Sequence, residues 1–223
     1  MKKIGIVTIG QAPRPDVVKE MVPFFGKNVS FLEKGALDGL TLEQVKKFSP
    51  DSGMIPFCTR MNNGSEVIIA KEKILPRIEQ SINELNENKV SLILLLCVGS
   101  FPHFESSCLI IQPQRIVNRC VESLISEKHH LGIMIPLPDQ KNWACENFAH
   151  VTPQITVIDA SPYGDRSRIL RASKVLKEAD CDLIVMYCMG FTRELTKEVR
   201  SVTKKPVILS SSIVARTIGE LLE

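Results

Sequence analysis

The feature that most constrains this chain is that it repeats itself. Lys3-Ile4-Gly5-Ile6-Val7 recurs as His130-Leu131-Gly132-Ile133-Met134, 127 residues later. Val29-Ser30-Phe31-Leu32 recurs as Ile155-Thr156-Val157-Ile158 after 126 residues, and the run from Ser91 to Gly99 (SLILLLCVG) recurs from Asp182 to Gly190 (DLIVMYCMG) after 91. Three matches in one order indicate two copies of one plan. The fall in offset places an insertion in the first copy, between residues 40 and 90. Its expected content is Phe57 to Ala70, where Asn62-Asn63-Gly64 offers the positive-φ residues of a tight turn between two short strands.

The repeated segments are strand-like: residues 3–9, 29–33, 91–97, 131–135, 155–158, 182–187 and 206–209. Amphipathic, helix-like stretches lie near 14–24, 71–88, 113–127, 139–149, 165–179, 193–202 and 211–222. Continuous apolar runs such as residues 92–97 suit parallel strands covered on both faces. The expected class is therefore α/β: two pseudosymmetric, doubly wound parallel-sheet lobes facing a ligand cleft, with a small inserted β-hairpin in the first. The lobe boundaries read as residues 1–111 plus a returning tail 206–223 for one, and 112–205 for the other. At 223 residues and 44% apolar, the chain can bury the core this requires.

Both copies deliver a cysteine to the carboxyl end of a buried strand, Cys97 and Cys188, each followed by one residue and a glycine. Ligands of open parallel sheets bind at that end. Two lobes facing each other would bring the two thiols to one cleft. A thiol with a pKa of about 8.5 becomes a better base beside a helix N-terminus or a cation. Cys188 is favoured by the helix opening near Thr192 and Arg193, so it is expected to ionise before Cys97. Two sulfurs on opposite faces of a carbon acid can remove a proton from one side and return one from the other.

The carbanion needs donors aimed at carboxylate oxygens. Gly10 and Gln11 end the first strand, and Gly99-Ser100 and Gly190-Phe191-Thr192 follow the cysteines. Ser210 and Ser211 open the last helix, and Arg14 and Arg60 are suited to bidentate pairing with a carboxylate. The other five cysteines (58, 108, 120, 145 and 181) have no comparable placement and read as structural.

Other classes are disfavoured. Net charge is only +3, with both signs mixed along the chain, and aromatic residues are 5%, so no nucleic-acid footprint or base-stacking platform is visible. The longest apolar run, residues 92–98, is too short to span a bilayer. Lys2 and Lys3 precede an apolar stretch that lacks a cleavage site and reads as a strand. An odd number of scattered cysteines without an export signal implies reduced thiols and a cytoplasmic location. No CxxC pair occurs, the His103, Glu105, Cys108 group is a poor metal cluster, and no GxGxxG follows a strand, so neither metal nor dinucleotide cofactor is expected.

Several motifs together resemble the AroM family over essentially the full length. They are Thr8-Ile9-Gly10-Gln11-Ala12-Pro13-Arg14-Pro15-Asp16, Thr59-Arg60 with Gly64 and Val67, Tyr187-Cys188-Met189-Gly190-Phe191, and Pro206-Val207-Ile208-Leu209-Ser210 with Ala215-Arg216. More distantly, the two-cysteine, two-lobe plan is similar to the aspartate/glutamate racemase superfamily, which implies cofactor-independent chemistry in an inter-lobe cleft. In those racemases Asn-Thr typically follows the first cysteine and Thr the second, whereas here Val98-Gly99 and Met189-Gly190 follow. The Cys-x-Gly-apolar pattern is nearer to relatives that decarboxylate or isomerise with one essential cysteine.

The expected function is a racemase- or isomerase-like enzyme acting on a small carboxylate, with Cys97 and Cys188 as general acid and base. The alternatives are a single-cysteine decarboxylase or isomerase, and a non-catalytic carboxylate-binding or sensor protein. No membrane or nucleic-acid partner is expected, and a homodimer is left open.

Overall fold

A computed structural model describes residues 2–26 and 28–222. The first half runs β1 (Lys2–Thr8), α1 (Pro15–Met21), β2 (Val29–Gly35), α2 (Leu42–Val45), β3 (Pro56–Arg60), β4 (Glu66–Ala70), α3 (Lys71–Glu87), β5 (Leu92–Leu95), β6 (Leu109–Ile111) and α4 (Pro113–Leu124). The second runs β7 (Leu131–Ile135), α5 (Lys141–Phe148), β8 (Ile155–Asp159), α6 (Arg166–Glu178), β9 (Leu183–Met186), α7 (Arg193–Thr203), β10 (Val207–Leu209) and α8 (Ser210–Leu222).

Each half forms a four-stranded parallel sheet, ordered β2-β1-β5-β6 and β8-β7-β9-β10. The repeat is thus real at the level of register: Ile4 lies opposite Leu92 as Leu131 lies opposite Leu183. The second-strand match is shifted by two, since Ile4 faces Phe31 where Leu131 faces Ile155. Gly5 and Gly132 occupy equivalent places in the central strands. A Cβ at Gly5 would lie 2.8 Å from Leu85 on α3, and one at Gly132 would lie 3.0 Å from the Cys181 sulfur. These glycines let a helix and its loop close on the sheet, and Cys181 is a fully buried part of that packing.

Of the tail 206–223 expected in the first lobe, α8 packs on α1, but β10 does not return: it hydrogen-bonds to β9 and so completes the second sheet. Its counterpart in the first half is β6, which the sequence reading lacked because Leu109–Ile111 is only three residues long. Each copy therefore ends in its own strand and helix. Those two helices, α4 and α8, pack against each other, and α8 also packs on α1.

The cores follow the pleat. Ile4, Ile6, Leu92 and Leu94 from one sheet and Leu131, Ile133, Leu183 and Val185 from the other join one buried cluster, together with Val17, Val117, Val121, Val214 and Ile218 on helices. The opposite faces are covered separately, by α3 in the first half and by α6 and α7 in the second. The halves therefore share a core, which fixes how their strand ends face each other.

The inserted hairpin is present: β3 and β4 pair antiparallel from Pro56 opposite Ala70 to Arg60 opposite Glu66. Of the three turn residues, only Gly64 adopts positive φ, at 89°. The hairpin reaches the second half, where Gln140 Nε2 donates to the Pro56 carbonyl at 3.0 Å. No helix among the described residues is long and apolar enough to cross a membrane.

Candidate functional site

Pairing continues one residue past the two strands that carry the cysteines: Leu96 N–H donates to the Val7 carbonyl, and Tyr187 N–H to that of Met134. The next residues are Cys97 and Cys188. The Gly190 N–H turns back to donate to the Cys188 sulfur at 3.4 Å, and Gly99 stands at the same place after Cys97, where its N–H favours the thiolate. The Cys-x-Gly motif thus makes a small donor nest for a thiolate.

Both cysteines line the same two small cavities, which meet at Cys58, Cys97, Val98 and Cys188. One cavity, about 30 Å³, has an aromatic wall of Phe57, Trp143 and Tyr187. The other, about 20 Å³, is lined by Arg14, Thr59 and Tyr163. Volumes of this size hold a water or two. Contacts between the halves span the cleft: Arg14 Nη2 donates to Tyr163 Oη at 2.9 Å, Gln140 holds Pro56, and the Cys58 sulfur lies 3.9 Å from Ser161 Oγ.

The aromatic wall is held by ring packing and a hydrogen bond. Trp143 stacks on Tyr187 with centroids 5.4 Å apart, Phe148 meets the same ring edge-on, and the Tyr187 hydroxyl is tied to Asn118. The polar side is equally fixed. Arg14 is 5% exposed, with Nε and Nη2 on the two Asp16 oxygens at 2.9 and 2.7 Å. Burial works against both charges, but the hydrogen bonds and mutual attraction outweigh it, raising the Arg14 pKa and lowering that of Asp16. Thr59, 1% exposed, has a hydroxyl without a hydrogen-bond partner. A buried polar group normally has one, and Thr59 lines the cavity beside Arg14.

Burial dominates the thiols. It pushes Cys188 up to about 11, while the Gly190 N–H and the Arg14 charge restrain the rise. Cys97 is pushed higher, first by burial and then by the nearby Cys188. Cys58 is raised too, by burial and by the carboxylate of Glu66, which accepts its S–H at 3.0 Å. The expected lowering by a helix N-terminus is therefore reversed by desolvation. The expected order, Cys188 before Cys97, agrees with these directions, and the cation that acts on both thiols is Arg14. Arg193 instead stacks on Phe24, its Cζ 4.5 Å from the ring centroid.

The remaining expected residues divide. Gly99 and Gly190 line the cavities beside the cysteines. Gly10 packs on the wall, where a Cβ would lie 2.4 Å from Thr59 Oγ1. Gln11 is a strut, its amide donating to the Leu37 and Leu40 carbonyls and accepting from Asn62 N–H. Arg60 points outward, bonding the Gly64 carbonyl and lying 3.8 Å from Asp16. Ser100 is exposed, Phe191 belongs to the outer core of the second half, and Thr192 caps α7 through Leu195 N–H. Ser210 and Ser211 are buried, with Ser210 Oγ donating to the Met186 carbonyl; neither lines a cavity.

Cys58, Thr59 and Tyr163 were not anticipated. A usable signal existed: Phe57, Cys58 and Thr59 are three successive apolar or small residues in a hairpin strand, implying cover on both faces. Tyr163 lies in the loop at the carboxyl end of β8, the end where ligands bind. Among the described residues no group of three His, Cys, Asp or Glu side chains is placed to hold a metal ion.

The family described as AroM protein matches residues 4–222. No curated protein matches in sequence. In fold, the chain is similar to the maleate isomerase Iso of Pseudomonas putida S16 (TM-score 0.63, 12% identity, covering 99% of this chain and 92% of that one). It is also similar to Picrophilus torridus aspartate racemase (0.61, 11%, 100% and 94%) and to an unliganded arylmalonate decarboxylase (0.58, 12%, 100% and 92%). At these identities the likeness carries the two-lobe fold.

Proposed function

Taking as premise that the chain belongs to the AroM family and has the racemase-like fold, we propose that it is an isomerase- or racemase-like enzyme acting on a small carboxylate without a cofactor. The observation that carries this reading is the meeting of Cys97 and Cys188, from equivalent positions of two repeats, in one cleft between the halves.

In this reading one thiol is ionised and its partner is not. Two like charges at close range disfavour each other, and Cys188 raises the Cys97 pKa in this way. Cys188, restrained by Gly190 and Arg14, is the first to become a thiolate. Its sulfur takes the proton from the carbon next to the carboxylate, forming S–H, and the electron pair of the C–H bond moves onto the carboxylate oxygens. Cys97 then donates its proton to the opposite face and is left as the thiolate. The Arg14 charge and the Thr59 hydroxyl are suited to receive the developing negative charge.

A second reading keeps the cavity and uses Cys188 alone as the proton donor or acceptor, as in a decarboxylase or one-base isomerase. The Gly190 N–H donated to the Cys188 sulfur at 3.4 Å favours it. Incubation with a panel of small carboxylates in deuterated buffer tests both. Deuterium entering the α-carbon without added metal or cofactor supports the enzyme, and ligand-induced thermal stabilisation without exchange identifies a binding protein.

A further inference from the structure

A polar concavity lies away from the thiols, at the edge of the second sheet. A groove of about 360 Å³ runs between α7 and α8 with the edge strand β10 at its floor. Volumes from roughly 300 Å³ upward are those of small-molecule sites. The cations along it are Arg193, Lys197 and Arg200, at i, i+4 and i+7 on one face of α7, and Arg216 facing them from α8. Among the described residues no acidic side chain lines the groove.

Charge on α7 is segregated. Its acids, Glu194 and Glu198, are taken by Arg166 on α6. None of the four groove cations forms an ion pair with a described residue, although the chain pairs many others, such as Lys141 and Arg168 with Asp159 and Lys205 with Asp180. Of the nearby carboxylates, Glu20 accepts the backbone N–H of Arg193, and Glu220 lines a neighbouring depression with Arg216 without forming an ion pair with it. Like charges on one helix face destabilise it unless an anion joins them.

Three of these cations are also held in place. Arg193 and Arg216 each stack on Phe24, with Cζ 4.5 Å from the ring centroid, and Arg200 Nη2 donates to the Val207 carbonyl at 2.7 Å. Oriented guanidinium forks match phosphate oxygens in pairs, and a lysine adds a mobile point charge. We propose that this groove is a binding site for a phosphate group, free or on a small phosphate ester, distinct from the thiol cavity.

Calorimetric titration at fixed ionic strength tests it, using inorganic phosphate, pyrophosphate, glycerol phosphate and, as a carboxylate of similar charge, malonate. The expected result is saturable one-to-one binding of the phosphate probes, weakened about tenfold or more by Lys197→Glu and by Arg216→Gln, and retained in Cys188→Ala. Lys197 is exposed and makes no side-chain hydrogen bond or ion pair among the described residues, so its replacement leaves the fold intact. Tighter binding of glycerol phosphate identifies an ester as the ligand, and tighter binding of inorganic phosphate identifies the free ion. Equal binding of malonate, unchanged binding in both groove variants, or loss in Cys188→Ala overturns the proposal. Because the groove variants leave the thiols untouched, its failure is separable from failure of the enzyme reading.

Discussion

Gly190 and Tyr163 are in contact such that a Cβ at position 190 would lie 2.2 Å from the Tyr163 hydroxyl. The absence of a side chain there lets Tyr163 reach Arg14 across the cleft and lets the Gly190 N–H face the Cys188 sulfur. Gly99 has the same relation to Phe57 in the first half, at 2.4 Å from Cζ.

Gly190→Ala is therefore expected to destabilise the protein by about 1–3 kcal/mol through overpacking. In a Tyr163→Ala background the same change should cost much less. Chemical denaturation of the four proteins of this cycle measures the coupling, and additive costs would contradict the contact.

The thiols set a pH dependence. Cys188 is held protonated up to about 11, chiefly by burial, so its alkylation by a neutral reagent should keep accelerating as pH rises toward 11. Mass spectrometry of limited digests should find Cys188 labelled before Cys97 and Cys58, whose pKa values are raised further. The folded state binds these protons more tightly than the unfolded chain, whose thiols titrate near about 8.5. Stability is thus complete below that pH and is lost as pH rises through the folded values, at up to about 1.4 kcal/mol per pH unit for each thiol. A denaturation midpoint unchanged between pH 7.5 and 10 would contradict this assignment.

Thr59 offers a test of stability against function. Its buried hydroxyl lacks a partner, so Thr59→Val should leave the ligand-free protein as stable or up to about 1–2 kcal/mol more stable. The same change should weaken binding of a carboxylate about tenfold, the worth of one hydrogen bond to a charged group. Thermal unfolding with and without ligand separates the two effects, and a destabilised, normally binding variant would show that the hydroxyl serves the fold alone.

Much of this was legible in the sequence because a buried parallel strand announces itself. The runs around Leu92 and Leu183 located the central strands and, through them, Cys97 and Cys188. The offset between repeats located the hairpin. What the sequence withheld was contact between distant segments. Nothing local tells that Phe57, Cys58 and Thr59 fold over the cysteines, or that Arg14 meets Tyr163, 149 residues away. The serines of Ser210-Ser211 misled because a cap-like run can equally tie a helix start to the neighbouring strand, as Ser210 does with Met186. The fate of the last strand was missed for a related reason: three-residue β6, its counterpart, is too short to show periodicity.

The central claim is that the paired thiols move protons at carbon. Its most direct measurement is solvent deuterium incorporation at the α-carbon of a carboxylate substrate found in the panel, followed by NMR for the wild type, Cys97→Ser and Cys188→Ser. The two-thiol account predicts exchange in the wild type and its loss, by at least about a hundredfold, in both variants. Loss in Cys188→Ser alone would establish the one-base reading. Full exchange in both variants would contradict the account and leave the two cysteines as a relic of the repeated strand.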